Sequence, residues 1–379
     1  MNKRILITST ELMMVQFLVP HVISLAGKGY SVDLACSEVG GRFEEVCEAL
    51  GTYTDNIFRL SLHRSPLSMK NLKGFRELRE IITRGNYDLI WTNEPVMGVA
   101  TRLAAREARK RGTKLLYMVH GFHFYDGAPW LNWCLYYPVE RLMARHADVI
   151  CTVNTEDFRR ACALKSSDRV EYIHGIGINT ARLKSAFSRT DIRKELRLPE
   201  SAFIVLSVGE LNDNKNQSVI LRAISSMSVP DMHYVMCGKG RNEQQLRRLA
   251  EKLGIEDRVH FLGYRRDVVD ICSQADVYAM PSFREGLPVS SLEAMFCGLP
   301  LVTSEIRGLT DVNKEGVNGF LCSPHDWHAF ASRISLLYTN PNLRVQMSAR
   351  NKKDVLPYTI GNTLVEVYGV IRKTIEKPQ

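Results

Sequence analysis

Short runs of apolar residues alternate with longer amphipathic stretches along nearly the whole chain of 379 residues. A brief apolar run bounded by turn residues is typical of a strand buried on both faces, and the longer stretches carry helical spacing. This alternation predicts a parallel sheet covered by helices on both sides. The strands expected in the first half are residues 5–8, 31–35, 89–92, 114–119 and 149–153.

The same alternation restarts after a polar stretch near residues 175–195, which we interpret as a linker. The second set of expected strands is 203–208, 233–237, 259–262, 277–280 and 301–303. Pro357 is expected to bend the chain before a last helical segment over 358–375. The fold class is therefore α/β with two similar halves, and ligands are expected at the carboxyl ends of the strands.

The segment after the strand at 277–280 runs Pro281-Ser-Phe-Arg-Glu-Gly-Leu-Pro-Val-Ser-Ser-Leu-Glu293. A strand that passes through a tight loop into a helix can hold a phosphate, because the first helical N–H groups have no internal partner. Two carboxylates indicate a ligand with hydroxyls, so we predict a nucleotide sugar with Glu293 on the ribose and Glu285 on the sugar. The alternative is a helix start at which the dipole favours an acid. The amides expected at the diphosphate are those of Gly286, Leu287, Val289 and Ser290.

Two further strand ends carry residues that suit a bound phosphate. Lys215 follows Gly209 and is expected at a helix N-terminus, where the dipole gives no reason for a cation. A phosphate ligand would explain it, and the alternative is a solvated surface lysine. Gly238 lies in Cys237-Gly-Lys-Gly240, a short turn that we interpret as a close approach to the ligand.

In the first half, His120 directly follows the strand at 114–119. It could bind a sugar hydroxyl or line the reacting centre, or be a structural histidine. Basic residues recur from Arg64 through Lys70, Lys73 and Arg76, and again over 102–114. They predict a face for anionic lipid or a diphosphate-linked acceptor, with a plain solvated face as the alternative.

Composition narrows the function. A net charge of +9 fits an anionic partner or a basic surface kept for solubility. The nine cysteines show no Cys-x-x-Cys pair, and no apolar run could span a bilayer, which favours a reduced cytoplasmic protein. Gly-x-Gly-x-x-Gly, P-loop and Asp-x-Asp sequences are missing, so we expect no metal and no cofactor. No aromatic platform accompanies the basic residues, which disfavours nucleic acid.

Four elements occur together: Glu285-x7-Glu293, Gly316-Val-Asn-Gly-Phe-Leu321, Gly209 with Lys215-Asn216, and His120-Gly121. This set resembles the family 4 glycosyltransferases of the GT-B fold, and within them the bacterial exopolysaccharide and capsule enzymes. The resemblance implies two Rossmann-like domains facing across a cleft. Residues 1–180 would bind the acceptor, residues 190–356 would bind the nucleotide sugar, and residues 357–379 would form a helix that crosses back to the first domain.

The resemblance also implies a reaction and residue roles. A hexose or hexosamine would pass with retention and without metal from a UDP-sugar to a polyprenyl-diphosphate-linked or glycan acceptor at the inner membrane face. Lys215 would neutralise the diphosphate, with Arg265 as a further cation, and His120 and Glu285 would be catalytic. Glu210 stands where most of the family has arginine. The alternatives are a sugar-nucleotide epimerase of the same fold and a degenerate nucleotide-sugar-binding partner protein, which Glu210 would support.

Overall fold

The structure, a computed structural model, describes residues 2–39, 41, 43–164, 169–180 and 191–376. It divides into two compact units, one formed by Met1–Gly177 with Ile360–Gln379 and the other by Ile178–Thr359. The last segment of the chain thus belongs to the first unit. Residues 181–190, in the middle of the predicted linker, lie outside the described part of the chain.

The first unit contains a parallel sheet of seven strands in the order β3-β2-β1-β4-β5-β6-β7. The chain adds strands in one direction from β1 to β3 and then returns to the other side of β1, so the order reverses between β1 and β4. The strands are β1 Arg4–Glu11, β2 Ser31–Val39, β3 Asn56–Leu60, β4 Leu89–Asn93, β5 Lys114–Val119, β6 Val149–Thr152 and β7 Val170–Tyr172.

Helices connect successive strands of this sheet, as parallel pairing requires. The last helix, α16 at Ile360–Glu376, follows a 3₁₀ turn at Leu356–Tyr358 that contains the bend predicted at Pro357. The helices of the first unit are α1 Leu12–Gly27, α2 Phe43–Leu50, α3 Lys70–Gly85, α4 Pro95–Ala104, α5 Arg106–Lys110, α6 Trp130–Ala144, α7 Thr155–Leu164 and α16 Ile360–Glu376.

The second unit repeats the plan with six parallel strands in the order β10-β9-β8-β11-β12-β13. Here the order reverses between β8 and β11. The strands are β8 Phe203–Val208, β9 Met232–Cys237, β10 Val259–Phe261, β11 Val277–Met280, β12 Leu301–Ser304 and β13 Gly319–Cys322. The helices are α8 Ile192–Glu195, α9 Ser218–Ser225, α10 Glu243–Lys252, α11 Val268–Gln274, α12 Val289–Cys297, α13 Leu309–Val312, α14 Trp327–Thr339 and α15 Pro341–Asp354, with a 3₁₀ turn at Glu256–Arg258.

Both faces of the second sheet are covered. Phe203 and Val205 belong to one buried cluster and Ile204 and Leu206 to another, because alternate residues of a strand point to opposite faces. Continuous apolar runs therefore mark these strands better than an alternation of apolar and polar residues does. The strands expected from such runs are confirmed. Within the described residues, none of the helices combines the length and the apolar character needed to cross a membrane.

The sequence pattern misses three strands, β3, β7 and β13, each of which lies at the edge of its sheet. β3 and β7 are only partly buried, so their sequences lack the apolar run that marks a central strand. The pattern also misplaces one helix face. Arg102, expected on a basic face, is fully buried, donates to the Gly98 carbonyl and pairs with Glu140, whereas Leu103 faces outward. The buried partner Glu140 is distant in sequence, so local spacing could not reveal it.

Buried neutral histidines should make the first unit sensitive to acid. His21 donates from Nε2 to the Ile176 carbonyl and contacts Trp91, and burial lowers its pKa from 6.5 to about 4. The unfolded chain therefore binds more protons below pH 6.5. Stability is complete above that pH and falls as the pH drops to about 4, by up to about 3 kcal/mol for this histidine.

We therefore expect His21→Gln, which keeps a donor for the Ile176 carbonyl, to flatten the fall in unfolding free energy between pH 7 and pH 4.5. Urea unfolding followed by tryptophan fluorescence measures this. The exposed His63→Gln is the control and should leave the pH dependence as in the wild type. Equal slopes for His21→Gln and the wild type would contradict the assignment.

Candidate active site

The predicted donor residues converge on one edge of the second sheet. Gly209 and Lys215 follow β8, Gly238 follows β9, Arg265 follows β10, and residues 285–293 follow β11. All therefore lie at the carboxyl ends of the strands. β8 and β11 flank the point where the strand order reverses, which is where open α/β sheets bind ligands.

A salt bridge joins the two elements that the sequence singled out. Lys215 Nζ lies 2.7 Å from Glu285 Oε1, and the side chains are only 21% and 11% exposed. The loops that carry them are also tied together, since the Phe283 N–H donates to the Asn214 carbonyl over 2.8 Å. An ammonium group has three donors, so Lys215 can keep Glu285 and still donate to an anion.

The sequence places Lys215 beside a helix that starts near Asn216, and the structure places the helix start slightly farther along the chain. Asn216 adopts a left-handed backbone with φ of 52°, and α9 begins two residues later at Ser218. The Asn216 side chain donates to the carbonyls of Pro281 and Pro324, which fixes this turn against the loop after β11. Lys215 is therefore positioned by a loop that side-chain hydrogen bonds hold in place.

Glycines let the loops of the site approach one another. A Cβ on Gly238 would lie 1.9 Å from the Gly209 carbonyl oxygen, so the close approach predicted for Gly238 is to the protein backbone. Gly209 has a φ of 154°, and a Cβ there would lie 3.2 Å from Lys215 Cε. Gly308, after β12, packs in the same way on Gly286, whose carbonyl oxygen would lie 2.1 Å from an added Cβ.

The helix after the loop begins where the sequence places it. α12 starts at Val289, so Val289 and Ser290 supply N–H groups of the first turn, and Glu293 is its fifth residue. The Ser290 hydroxyl is engaged locally, since it donates to the Val208 carbonyl and accepts from Tyr278 Oη. Only the Ser290 amide thus suits the predicted role. Leu287 packs against the core, and Glu293 is half-buried.

Arg265 is less available than expected. Its guanidinium contacts both oxygens of Glu195, at 2.7 and 3.0 Å, and both of Asp267, at 2.8 and 2.6 Å. These carboxylates raise its pKa and neutralise its charge. Glu210 is exposed, and its backbone carbonyl accepts from Gln217 Nε2. Lys215 and the helix amides are therefore the better placed groups for a diphosphate.

Arg307 is a site residue that the pattern did not reveal. It is 7% exposed, and its Nε donates to the Glu285 carbonyl over 3.2 Å. The sequence carries one signal that could have revealed Arg307. A turn ending in Gly308 directly follows β12, which is another strand that ends at this edge of the sheet.

His120 lies in the first unit, at the carboxyl end of β5. Asn93 Nδ2 donates to the Thr8 carbonyl, which orients the amide so that Oδ1 accepts from His120 Nε2 over 3.0 Å. Burial lowers the pKa of His120 to about 4, so the ring is neutral at pH 7. A neutral ring that donates from Nε2 carries its lone pair on Nδ1, which can accept a hydrogen bond from a hydroxyl.

Two families match successive parts of the chain. Glycosyltransferase Family 4 matches residues 21–182, and Glycosyl transferases group 1 matches residues 188–354. EpsD of Bacillus subtilis (strain 168), which is assigned as a glycosyltransferase, is 38% identical over 320 residues, or 83% of this chain and 84% of EpsD. The chain is a family 4 glycosyltransferase.

The transferase is also similar to the UDP-Gal:α-D-GlcNAc-diphosphoundecaprenol α-1,3-galactosyltransferase of Escherichia coli, with 25% identity over 339 residues, 86% of this chain and 85% of the relative. HepE of Anabaena, solved with UDP and glucose, matches the fold with a TM-score of 0.79 and 18% identity, covering 98% of this chain and 100% of HepE. The transferase therefore has the GT-B fold that the resemblance implies.

The Lys215–Glu285 pair predicts non-additive stability effects. Lys215→Met leaves a largely buried carboxylate without its cation, and Glu285→Gln leaves the ammonium without its anion. Each change should lower the unfolding free energy by about 1–3 kcal/mol. The double variant leaves no unpaired charge and should recover most of that loss.

Chemical denaturation of the four proteins measures this coupling. The exposed pair of Lys110 with Glu107 is a matched control, and Lys110→Met should change stability by less than about 0.5 kcal/mol. Additive losses in the double variant would show that the pair does not couple.

Proposed function

We propose that the second unit binds a UDP-sugar, with a hexose or hexosamine as the transferred group. The observation that carries the proposal is the Lys215–Glu285 salt bridge beside the start of α12, at the reversal point of a parallel sheet. An ammonium group and free helical N–H groups suit a diphosphate, and carboxylates suit hydroxyls. HepE holds UDP and glucose, and the Escherichia coli relative uses UDP-Gal, which supports this donor class.

In the proposed reaction the bond between the anomeric carbon and the diphosphate oxygen breaks, and the acceptor hydroxyl forms the new bond on the same face. The acceptor proton passes to the leaving diphosphate, and we expect the reaction to need neither metal nor cofactor. Lys215 and the amides of Val289 and Ser290 stabilise the charge that develops on the diphosphate. Glu293 binds the ribose, and Glu285 orients the sugar. Nδ1 of the neutral His120 ring accepts a hydrogen bond from a sugar hydroxyl.

The donor proposal predicts that UDP binding depends strongly on Glu293. Glu293→Gln should weaken UDP binding about 10–100-fold, because it replaces hydrogen bonds to a charged acceptor. Calorimetry with UDP measures this change. Glu251→Gln, at an exposed position of α10, should bind like the wild type. Equal affinity of both variants would remove Glu293 from the site.

Turnover is tested with a panel of UDP-sugars and lipid-linked acceptors in the presence of EDTA. Transfer with retained anomeric configuration supports the proposal, and strict metal dependence contradicts it. Release of an epimerised nucleotide sugar without acceptor would support the epimerase alternative. UDP binding that Glu293→Gln weakens, with no turnover on any pair, would support the degenerate partner.

We further propose a polyprenyl-diphosphate-linked or glycan acceptor in polysaccharide synthesis, and peripheral contact with the inner face of the cytoplasmic membrane. The acceptor named in the Escherichia coli relative supports the first part. Two exposed apolar surfaces of the first unit support the proposed membrane contact. The first surface consists of Leu67, Met69 and Leu72. These residues are 90%, 78% and 60% exposed and alternate with Lys70 and Lys73.

The second surface is the α6 apolar face, which consists of Leu131, Leu135, Val139 and Leu142. Their spacing of four, four and three residues places them on one side of the helix. Arg141 and Arg145 are exposed at its end. Exposed leucines bordered by arginines are typical of a helix that lies in the interface of an anionic membrane.

The membrane proposal predicts binding to vesicles that contain phosphatidylglycerol and weak binding to pure phosphatidylcholine. Leu135→Gln should weaken the binding about tenfold, because it withdraws one leucine from the lipid. Co-sedimentation measures the bound fraction. Val345→Gln changes an exposed apolar residue of the other unit and serves as the control. Equal binding of both variants would contradict insertion of the α6 apolar face.

A further inference from the structure

The first unit has its own ligand-sized cavity at the reversal point between β1 and β4. The cavity measures about 290 Å³ and lies where both strands end. It is close to the lower limit of about 300 Å³ for ligand sites, a size that suits one sugar ring better than a nucleotide sugar. The lining residues used below are Thr10, Glu11, Arg64, Glu94, His123 and Tyr136.

Glu94 lines this cavity and has a strained backbone conformation. It has φ of 65° and ψ of 154°, a conformation that glycine adopts and other residues almost never do. A glycine would relieve the strain, so the backbone does not account for the glutamate. Residues held in such conformations cluster at ligand sites, so we infer that the carboxylate has a functional role.

The Glu94 carboxylate is oriented and keeps the capacity to accept hydrogen bonds. Ser9 Oγ donates to Oε2 over 3.1 Å, and the Thr10 N–H donates to the same oxygen. A carboxylate offers about four acceptor sites, so a ligand hydroxyl in the cavity can still donate to it. Burial raises the pKa of Glu94.

An aromatic pair forms another part of the cavity lining. The rings of His123 and Tyr136 stack with their centroids 4.5 Å apart and an angle of 25° between the planes. The face of an aromatic ring carries partial negative charge, and the C–H groups of one face of a pyranose carry partial positive charge. A ring with carboxylates nearby therefore matches a sugar, which has an apolar face and a rim of hydroxyls.

Charge decides between the sugar and the diphosphate of a lipid-linked acceptor. Glu11 and Glu94 bring two carboxylates to the cavity against one arginine, Arg64, whose guanidinium already contacts Glu11 at 2.9 Å. A diphosphate beside these acids would be repelled, whereas hydroxyls can donate to them.

We propose that this cavity binds the sugar of the acceptor that receives the new linkage, with Glu94 accepting from its hydroxyls and the His123–Tyr136 pair packing on its apolar face. This inference rests on the proposed function, since it concerns the acceptor of that reaction. It makes Glu94 a residue that selects the acceptor by its hydroxyl pattern.

The test uses the full chain and methyl glycosides of glucose, galactose and N-acetylglucosamine as probes, in the absence and presence of UDP. Ligand-observed NMR titration should show millimolar binding of at least one glycoside to the wild type. Glu94→Gln and Tyr136→Leu should each weaken that binding at least tenfold. Glu80→Gln, at an exposed acid of α3, should bind like the wild type.

A second variant separates binding from a structural role. Glu94→Gly releases the backbone strain while it removes the carboxylate, so it should abolish glycoside binding without a large fall in melting temperature. A folded Glu94→Gly protein that binds glycosides as tightly as the wild type would overturn the proposal.

UDP titrations keep the two proposals distinguishable. UDP affinity should be the same in the Glu94 and Tyr136 variants as in the wild type. If the wild type binds UDP but no glycoside, or if both variants bind glycosides like the wild type, the acceptor cavity is refuted and the donor site stands. If the wild type binds no UDP, the proposed function itself fails.

Discussion

Burial of both faces of a parallel sheet restricts where polar chemistry can occur. Ile204 and Leu206 pack on one side of β8, and Phe203 and Val205 pack on the other, so the interior of this central strand is closed to a ligand. Functional groups must stand where the strands end. Because parallel strands end at the same edge, residues as far apart in sequence as Lys215 and Glu285 come within 2.7 Å of each other. Both units follow this rule, each with its own reversal point.

The central strands and the start of α12 could be predicted from sequence because their signals are local. A run such as 203–208 is apolar throughout, and the loop from Pro281 to Pro288 carries its own turn residues. The edge strand β3 and the burial of Arg102 could not, since they depend on neighbours far along the chain.

The candidate site shows the same division. Lys215 and Glu293 stand out by their position beside a turn, so residue type and local context were sufficient to select them. The ties of Arg265 to Glu195 and Asp267 and the contact of Arg307 with Glu285 appear only once the loops are assembled. The strained backbone of Glu94 has no sequence signal, because nothing in the residues around it demands a positive φ.

The glycine contacts limit how this enzyme could be altered. Gly238 rests on the Gly209 backbone, and Gly308 rests on that of Gly286, with no room for even one methyl group. The four loops are thereby held in fixed pairs, and a change of length in one would force its neighbour apart. Engineering of donor preference should therefore leave the loop lengths untouched and vary exposed side chains such as Arg284.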